Sequence, residues 1–133
     1  MLTGIAPITP PSVRHPWRYG VLAGYWLILF VVTHLPKSPW PGWAPEPRDT
    51  SLHFIAYLLL GGIGWWALAF GRRALAWRAV EWFAVVAVYA ACDEILQMVC
   101  NRFCSVADLV ADLAGATLAI GTVELFRRVR GRD

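Results

Sequence analysis

Apolar residues in this chain fall in four blocks, each near the length of a membrane span. Tyr19–Leu35 (YGVLAGYWLILFVVTHL) is free of charge apart from a histidine at its end. Leu52–Phe70 (LHFIAYLLLGGIGWWALAF) follows a proline-rich loop. Val80–Val99 and Val106–Phe126 are interrupted by Asp93, Glu94, Asp108 and Asp112. Crossing a hydrocarbon layer of ~30 Å takes ~20 helical residues, so each block predicts a transmembrane helix. The first is somewhat short. The last two should score poorly on hydropathy alone, because intramembrane carboxylates are costly.

The connections between the blocks are polar or broken by proline. Residues 1–16 are proline-rich and predict irregular chain. Prolines at 36, 39, 41, 45 and 47 make the first long loop extended or turning. "DTSLHF" reads as a helix start with Asp49 or Thr50 as N-cap, and "SVAD" at 105–108 follows capping-box logic. Gly61, Gly62 and Gly64 in the second block, with Gly115 and Gly121 in the fourth, predict close helix–helix contacts.

Composition supports lipid as the solvent. Of 133 residues 58% are hydrophobic, the mean hydropathy is +0.51, and eight are tryptophan. One core in so short a chain cannot absorb that much apolar surface, so a soluble bundle is disfavoured. We therefore expect an all-α fold, a single domain over residues 1–133 built as a four-helix transmembrane bundle. No cleavable leader is recognisable before Tyr19, so the first span is expected to stay in the mature protein.

Charge then orients the bundle. Nine basic residues (Arg14, Arg18, Arg72, Arg73, Arg78, Arg127, Arg128, Arg130 and Arg132) flank one side. Lys37, Arg48 and Arg102 are the three on the other. The positive-inside rule places both termini and the middle loop in the cytoplasm and predicts a multi-pass membrane protein. Trp17, Trp77 and Trp82 are expected to mark the inner interface, and Trp40 and Trp43 the outer. The arginine-rich C-terminus suits anionic headgroups; nucleic acid is a poor partner for so short a run.

On this topology the intramembrane polar residues gather near the outer side. Asp49, His53 and Tyr57 follow one another at intervals of four and share a face of the second helix. Asp93, Glu94 and Gln97 end the third. Arg102 and Ser105 lie in the short outer loop, with Asp108 and Asp112 in the first two turns of the fourth. Facing lipid would cost about 2.5 to 3.5 kcal/mol for an aspartate near a helix centre, so these groups should face one another. Arg102 could pair with Glu94 or Asp108. The blander reading is that the carboxylates only fasten helices together through Arg and His. His34 and His15 read as interfacial.

Other chemistry is less well marked. His53 with Asp49, Glu94 and Asp112 could offer mixed ligands to zinc or manganese. There is neither HExxH nor a paired-cysteine spacing, so no metal is assigned, and the cofactor is unknown. Cys100 and Cys104 could pair on an oxidising side, while Cys92 reads as a small packing residue.

The combination "THLP", "DTSLHFIAY" and "DEILQ…RFCSVADLVADLAG" resembles the VanZ-like family of small bacterial membrane proteins, from about Thr33 to Gly121. The resemblance implies shared site positions at Asp49, His53 and Tyr57, at Asp93, Glu94 and Gln97, and at Arg102, Ser105 and Asp108. The chain departs from it at Thr50, where the family often has Lys, and at Asp112, where it often has Asn. The family also implies a link to the cell envelope, and for some members to reduced susceptibility to the glycopeptide teicoplanin. It names no reaction.

Three functions follow as expectations. The first is a pocket that binds or modifies a lipid or lipid-linked envelope precursor, with His53 or Glu94 as general acid or base and Asp49, Tyr57, Asp93, Gln97, Arg102, Ser105, Asp108 and Asp112 binding or orienting. The second is a non-catalytic accessory subunit of a larger membrane complex. The third, a small transporter, is weaker because the polar groups lie near one side. The sequence leaves turnover undecided.

Overall fold

The computed structural model describes residues 16–35, 49–68, 75–100 and 105–130. They form four helices: α1 (Pro16–His34), α2 (Asp49–Leu68), α3 (Leu75–Gln97) and α4 (Val106–Val129). One 3₁₀ turn, Met98–Cys100, continues α3, and no strand occurs among the described residues. The all-α, four-helix expectation holds. Helix α3 begins five residues before the predicted span because Leu75, Ala76, Trp77, Arg78 and Ala79 bring neither Gly nor Pro to stop it.

Successive helices run in opposite directions. Trp17, at the start of α1, meets Trp66, near the end of α2, with ring centroids 5.1 Å apart. At the other end of the bundle Thr33 of α1 reaches Asp93 of α3, and Thr50 of α2 reaches Asp108 of α4. All four helices thus bring one end to the same polar layer.

The most extensive helix–helix contact is between α2 and α4. Glycine makes it possible. A Cβ on Gly115 would collide with the Phe54 carbonyl, and one on Gly61 would lie 3.0 Å from Ala116 Cα. A Cβ on Gly64 would occupy the space of the Trp82 indole. Gly121 meets nothing within 4 Å of a Cβ, so it is no part of this seam, contrary to the sequence expectation.

Trp82 is a correction of another kind. It is no interface anchor but a core residue, 4% exposed, whose Nε1 donates to the Gly61 carbonyl at 3.1 Å. The glycine at 64 leaves the slot that the indole fills. Trp26 stacks edge-on against both Trp82 and Tyr89. Trp17 and Trp77 are exposed, and Trp40 and Trp43 lie outside the described residues.

The outside of the bundle is apolar. Leu27, Ile28, Val88, Ile95, Val110 and Leu118 are all exposed, while the buried set includes Asp93, Glu94, Asp108 and Asp112. A protein in water would reverse this distribution. Two helices are long and apolar enough to cross a membrane on composition alone, Thr50–Leu68 and Val106–Phe126. The second is a correction: two aspartates do not outweigh the alanine, leucine, valine and isoleucine around them. Helix α1 carries Arg18 and His34 at its ends, and α3 carries Arg78, Glu81, Asp93 and Glu94. Cys92 is exposed on α3 rather than packed in the core.

Candidate functional site

The polar layer is built from residues that the helix period aligns. Helix α2 places Thr50, His53 and Tyr57 along one side, one turn apart. Helix α3 delivers Asp93, Glu94 and Gln97 in its last two turns, and α4 delivers Asp108 and Asp112, one turn apart, from its start. His53, Asp93, Glu94, Gln97, Asp108 and Asp112 are all buried, with Asp112 fully so.

Each carboxyl group has its own partner. Asp93 accepts from Thr33 Oγ1 at 3.0 Å on one oxygen and from Gln97 Nε2 at 3.0 Å on the other. His34 Nδ1, which donates to the Phe30 carbonyl, stands 3.7 Å from Asp93. Asp108 accepts from Thr50 Oγ1 at 2.6 Å. Asp112 accepts from His53 Nδ1 at 3.0 Å, and the same nitrogen lies 3.7 Å from Glu94 Oε1.

The start of α4 shows how the site is tied together. Ser105 is its N-cap, with the hydroxyl accepting from the Asp108 amide at 3.3 Å. In a capping box the third helical residue reaches back to the cap's own N–H. Here Asp108 is held by Thr50, and the Ser105 N–H instead donates to Glu94 Oε2 at 2.8 Å. The capping carboxylate comes from the neighbouring helix.

Two carboxylate oxygens are left over. Glu94 Oε1 and Asp112 Oδ2 are buried and have no hydrogen-bond partner among the described residues. The Tyr57 hydroxyl is in the same position, beneath His53. One ligand atom from each of His53, Glu94 and Asp112 lies within 4.8 Å of the other two. A burial this polar is costly unless something completes it.

An apolar cleft adjoins this layer. It holds about 160 Å³ between α1 and α2 and is lined by Leu29, Val32, Leu52 and Ala56, with Thr33, His53 and Tyr57. His53 therefore belongs both to the carboxylate cluster and to a groove in the bundle's apolar flank.

Of the residues selected from sequence, His53, Tyr57, Asp93, Glu94, Gln97, Ser105, Asp108 and Asp112 come together in this layer. Asp49 opens α2, but its side chain is outside the described set, as are Arg102 and the cysteines 100 and 104. Sequence reasoning gave no site role to Thr33, and it read Thr50 as a cap and His34 as interfacial. The signal for Thr33 was slight: one hydroxyl beside a histidine, at the end of an otherwise apolar helix.

Apolar helices closing around a buried acidic layer define a helical membrane protein. The family model described as VanZ/LLP1 matches residues 49–127, and the chain belongs to that family. The match takes in α2, α3 and most of α4, the three helices that supply the carboxylates and His53. No curated protein and no solved structure matches the chain.

Proposed function

We propose that this protein spans the bacterial cytoplasmic membrane four times as one domain, with both termini inside. Its polar layer then faces outward and binds the head of a lipid or lipid-linked envelope precursor. The observation that carries the reading is the cleft between α1 and α2. It is apolar along its walls, it is of the size that takes a benzene-sized group, and it ends at His53 and Tyr57. A lipid tail entering from the bilayer would bring its polar end to the carboxylate cluster.

The chemistry available there is proton transfer. Asp112 fixes the His53 imidazole through Nδ1, and Glu94 presents a free oxygen 3.7 Å from the same nitrogen. A histidine oriented by a carboxylate is suited to taking a proton from water or from a ligand hydroxyl. Asp49, which opens α2, and Arg102 would meet the ligand's charged groups, with Ser105, Asp108, Asp93 and Gln97 holding the layer in place. Altered supply of such a precursor would connect the protein to glycopeptide susceptibility, as membership of the family suggests.

The test compares envelope lipids of cells lacking the protein with cells complemented by wild type, His53→Ala or Glu94→Gln at matched abundance. We expect at least one lipid or lipid-linked sugar to change on deletion and to be restored by wild type alone. Unchanged lipids, with a co-purifying membrane protein lost from the variants, would make the chain an accessory subunit.

A further inference from the structure

We infer that His53, Glu94 and Asp112 bind a divalent first-row metal ion of the manganese or zinc class. Three observations converge on these residues.

The first is spacing. Ligands held at about 2.0–2.2 Å from one ion, at tetrahedral or octahedral angles, lie about 3–3.5 Å from each other. His53 Nδ1 is 3.0 Å from Asp112 Oδ1 and 3.7 Å from Glu94 Oε1. Movements of a few tenths of an ångström close the set around an ion. The three come from α2, α3 and α4, so they converge on a point between helices rather than lining one surface.

The second is the pair of orphaned oxygens. Glu94 is 2% exposed and Asp112 fully buried, yet Glu94 Oε1 and Asp112 Oδ2 lack partners among the described residues. A buried acceptor left unmade costs about 1–3 kcal/mol, and more when charged. Glu94 is held from behind, since its other oxygen accepts the Ser105 N–H, and this leaves Oε1 directed at His53. Such support from a second ring of hydrogen bonds is usual for metal ligands.

The third is charge. Asp93, Glu94, Asp108 and Asp112 share one buried layer with His53, and the half-buried His34 stands at its edge. The described arginines all lie toward the opposite end: Arg18 starts α1, Arg78 starts α3, and Arg127, Arg128 and Arg130 end α4. Among the described residues only histidine can bring positive charge to that layer, and a divalent cation at His53 would add it where the carboxylates gather; Arg102 lies outside the described residues.

The donor set narrows the ion. One imidazole and two carboxylates suit borderline ions, whereas calcium and magnesium prefer oxygen throughout. Among the described residues no thiol joins the layer, since Cys92 is exposed on α3. To bind at Nδ1, the ion takes the place of the proton that His53 now gives to Asp112, which a neutral imidazole can carry on Nε2 instead. This goes beyond the lipid reading: the ion would bind with or without a lipid, and neither result decides the other.

The experiment uses the full chain purified in mild detergent, stripped with chelator and titrated with Mn²⁺, then with Zn²⁺ as competitor. Electron paramagnetic resonance counts bound Mn²⁺ and elemental analysis counts Zn²⁺. We expect one equivalent per chain, a single imidazole nitrogen coupled to the bound Mn²⁺, and displacement by Zn²⁺. Asp112→Asn, Glu94→Gln and His53→Gln should each weaken uptake at least tenfold, and His53→Gln should also erase the nitrogen coupling. Glu124→Gln, at the far end of α4, should bind like wild type. Uptake of neither ion by folded wild-type protein overturns the inference, whatever the variants do. So does equal uptake in Asp112→Asn and Glu94→Gln. If the chain holds no metal but loses stability on Arg102→Gln, that arginine is the counter-charge and the ion is not.

Discussion

The two ends of the bundle treat charge in opposite ways. At one end Arg18 lies over the Trp66 ring at 4.7 Å, with Trp17 edge-on beside it. Arg78 donates to the Leu68 carbonyl at 2.6 Å and so closes the end of α2. At the other end four carboxyl groups are buried among hydroxyls, histidines and an amide. The difference is one of reach. A guanidinium on a three-carbon stem can lie along an aromatic surface while its head seeks the interface. Aspartate has one methylene and stays at the depth its helix assigns. Long side chains make the arginine end an anchor; short ones oblige the acidic end to solve its electrostatics inside the protein.

The comparison can be broken most severely at the seam that both ends share. Gly115→Leu drives a side chain into the Phe54 carbonyl and separates α2 from α4. We expect a loss of about 3 kcal/mol or more, seen as failure to accumulate in membranes and as early thermal unfolding in detergent. A smaller effect distinguishes holding the fold from doing chemistry at the acidic end. Glu94→Ala leaves the Ser105 N–H without its acceptor and should cost about 1–3 kcal/mol in thermal unfolding. Glu94→Gln keeps an oxygen for that N–H, so it should retain most of the stability while losing the function. Equal stability of the two variants would mean that the cross-helix cap contributes little. The smallest change belongs to the anchor. Arg18→Ala should lower stability by about 0.5–1 kcal/mol and leave the acidic layer untouched, as read by the reactivity of Glu94 toward an apolar carbodiimide.

Much of this arrangement is legible in the sequence. Four apolar blocks give four helices, and intervals of four along α2, with the Asp-Glu-x-x-Gln run of α3, give the acidic end its membership. What escaped depends on contacts between distant segments. Thr33 becomes a site residue only because Asp93 arrives 60 positions later. Trp82 reads as an inner-interface tryptophan from the topology, but Gly64 opens a slot for it in the core. Gly121 and Gly115 look alike in sequence, and only the helix crossing separates them. His53, Glu94 and Asp112 were legible as possible metal ligands but not assignable, because each comes from a different helix and no local spacing announces the set.

The bond from the Ser105 N–H to Glu94 also bears on how the chain assembles. It closes a loop of 11 residues, whereas the links Thr50–Asp108, His53–Asp112 and Thr33–Asp93 span 58, 59 and 60. Loop-closure entropy grows with separation, so the short clasp is the least costly of these contacts to make first. A hairpin of α3 and α4, latched at its turn, can thus be complete while the rest of the layer is still open. Such a hairpin would already present the carboxylates that His53 of α2 and Thr33 of α1 meet. On loop-closure entropy alone, the C-terminal half of the site is the less costly half to close first, against the order in which the chain is made.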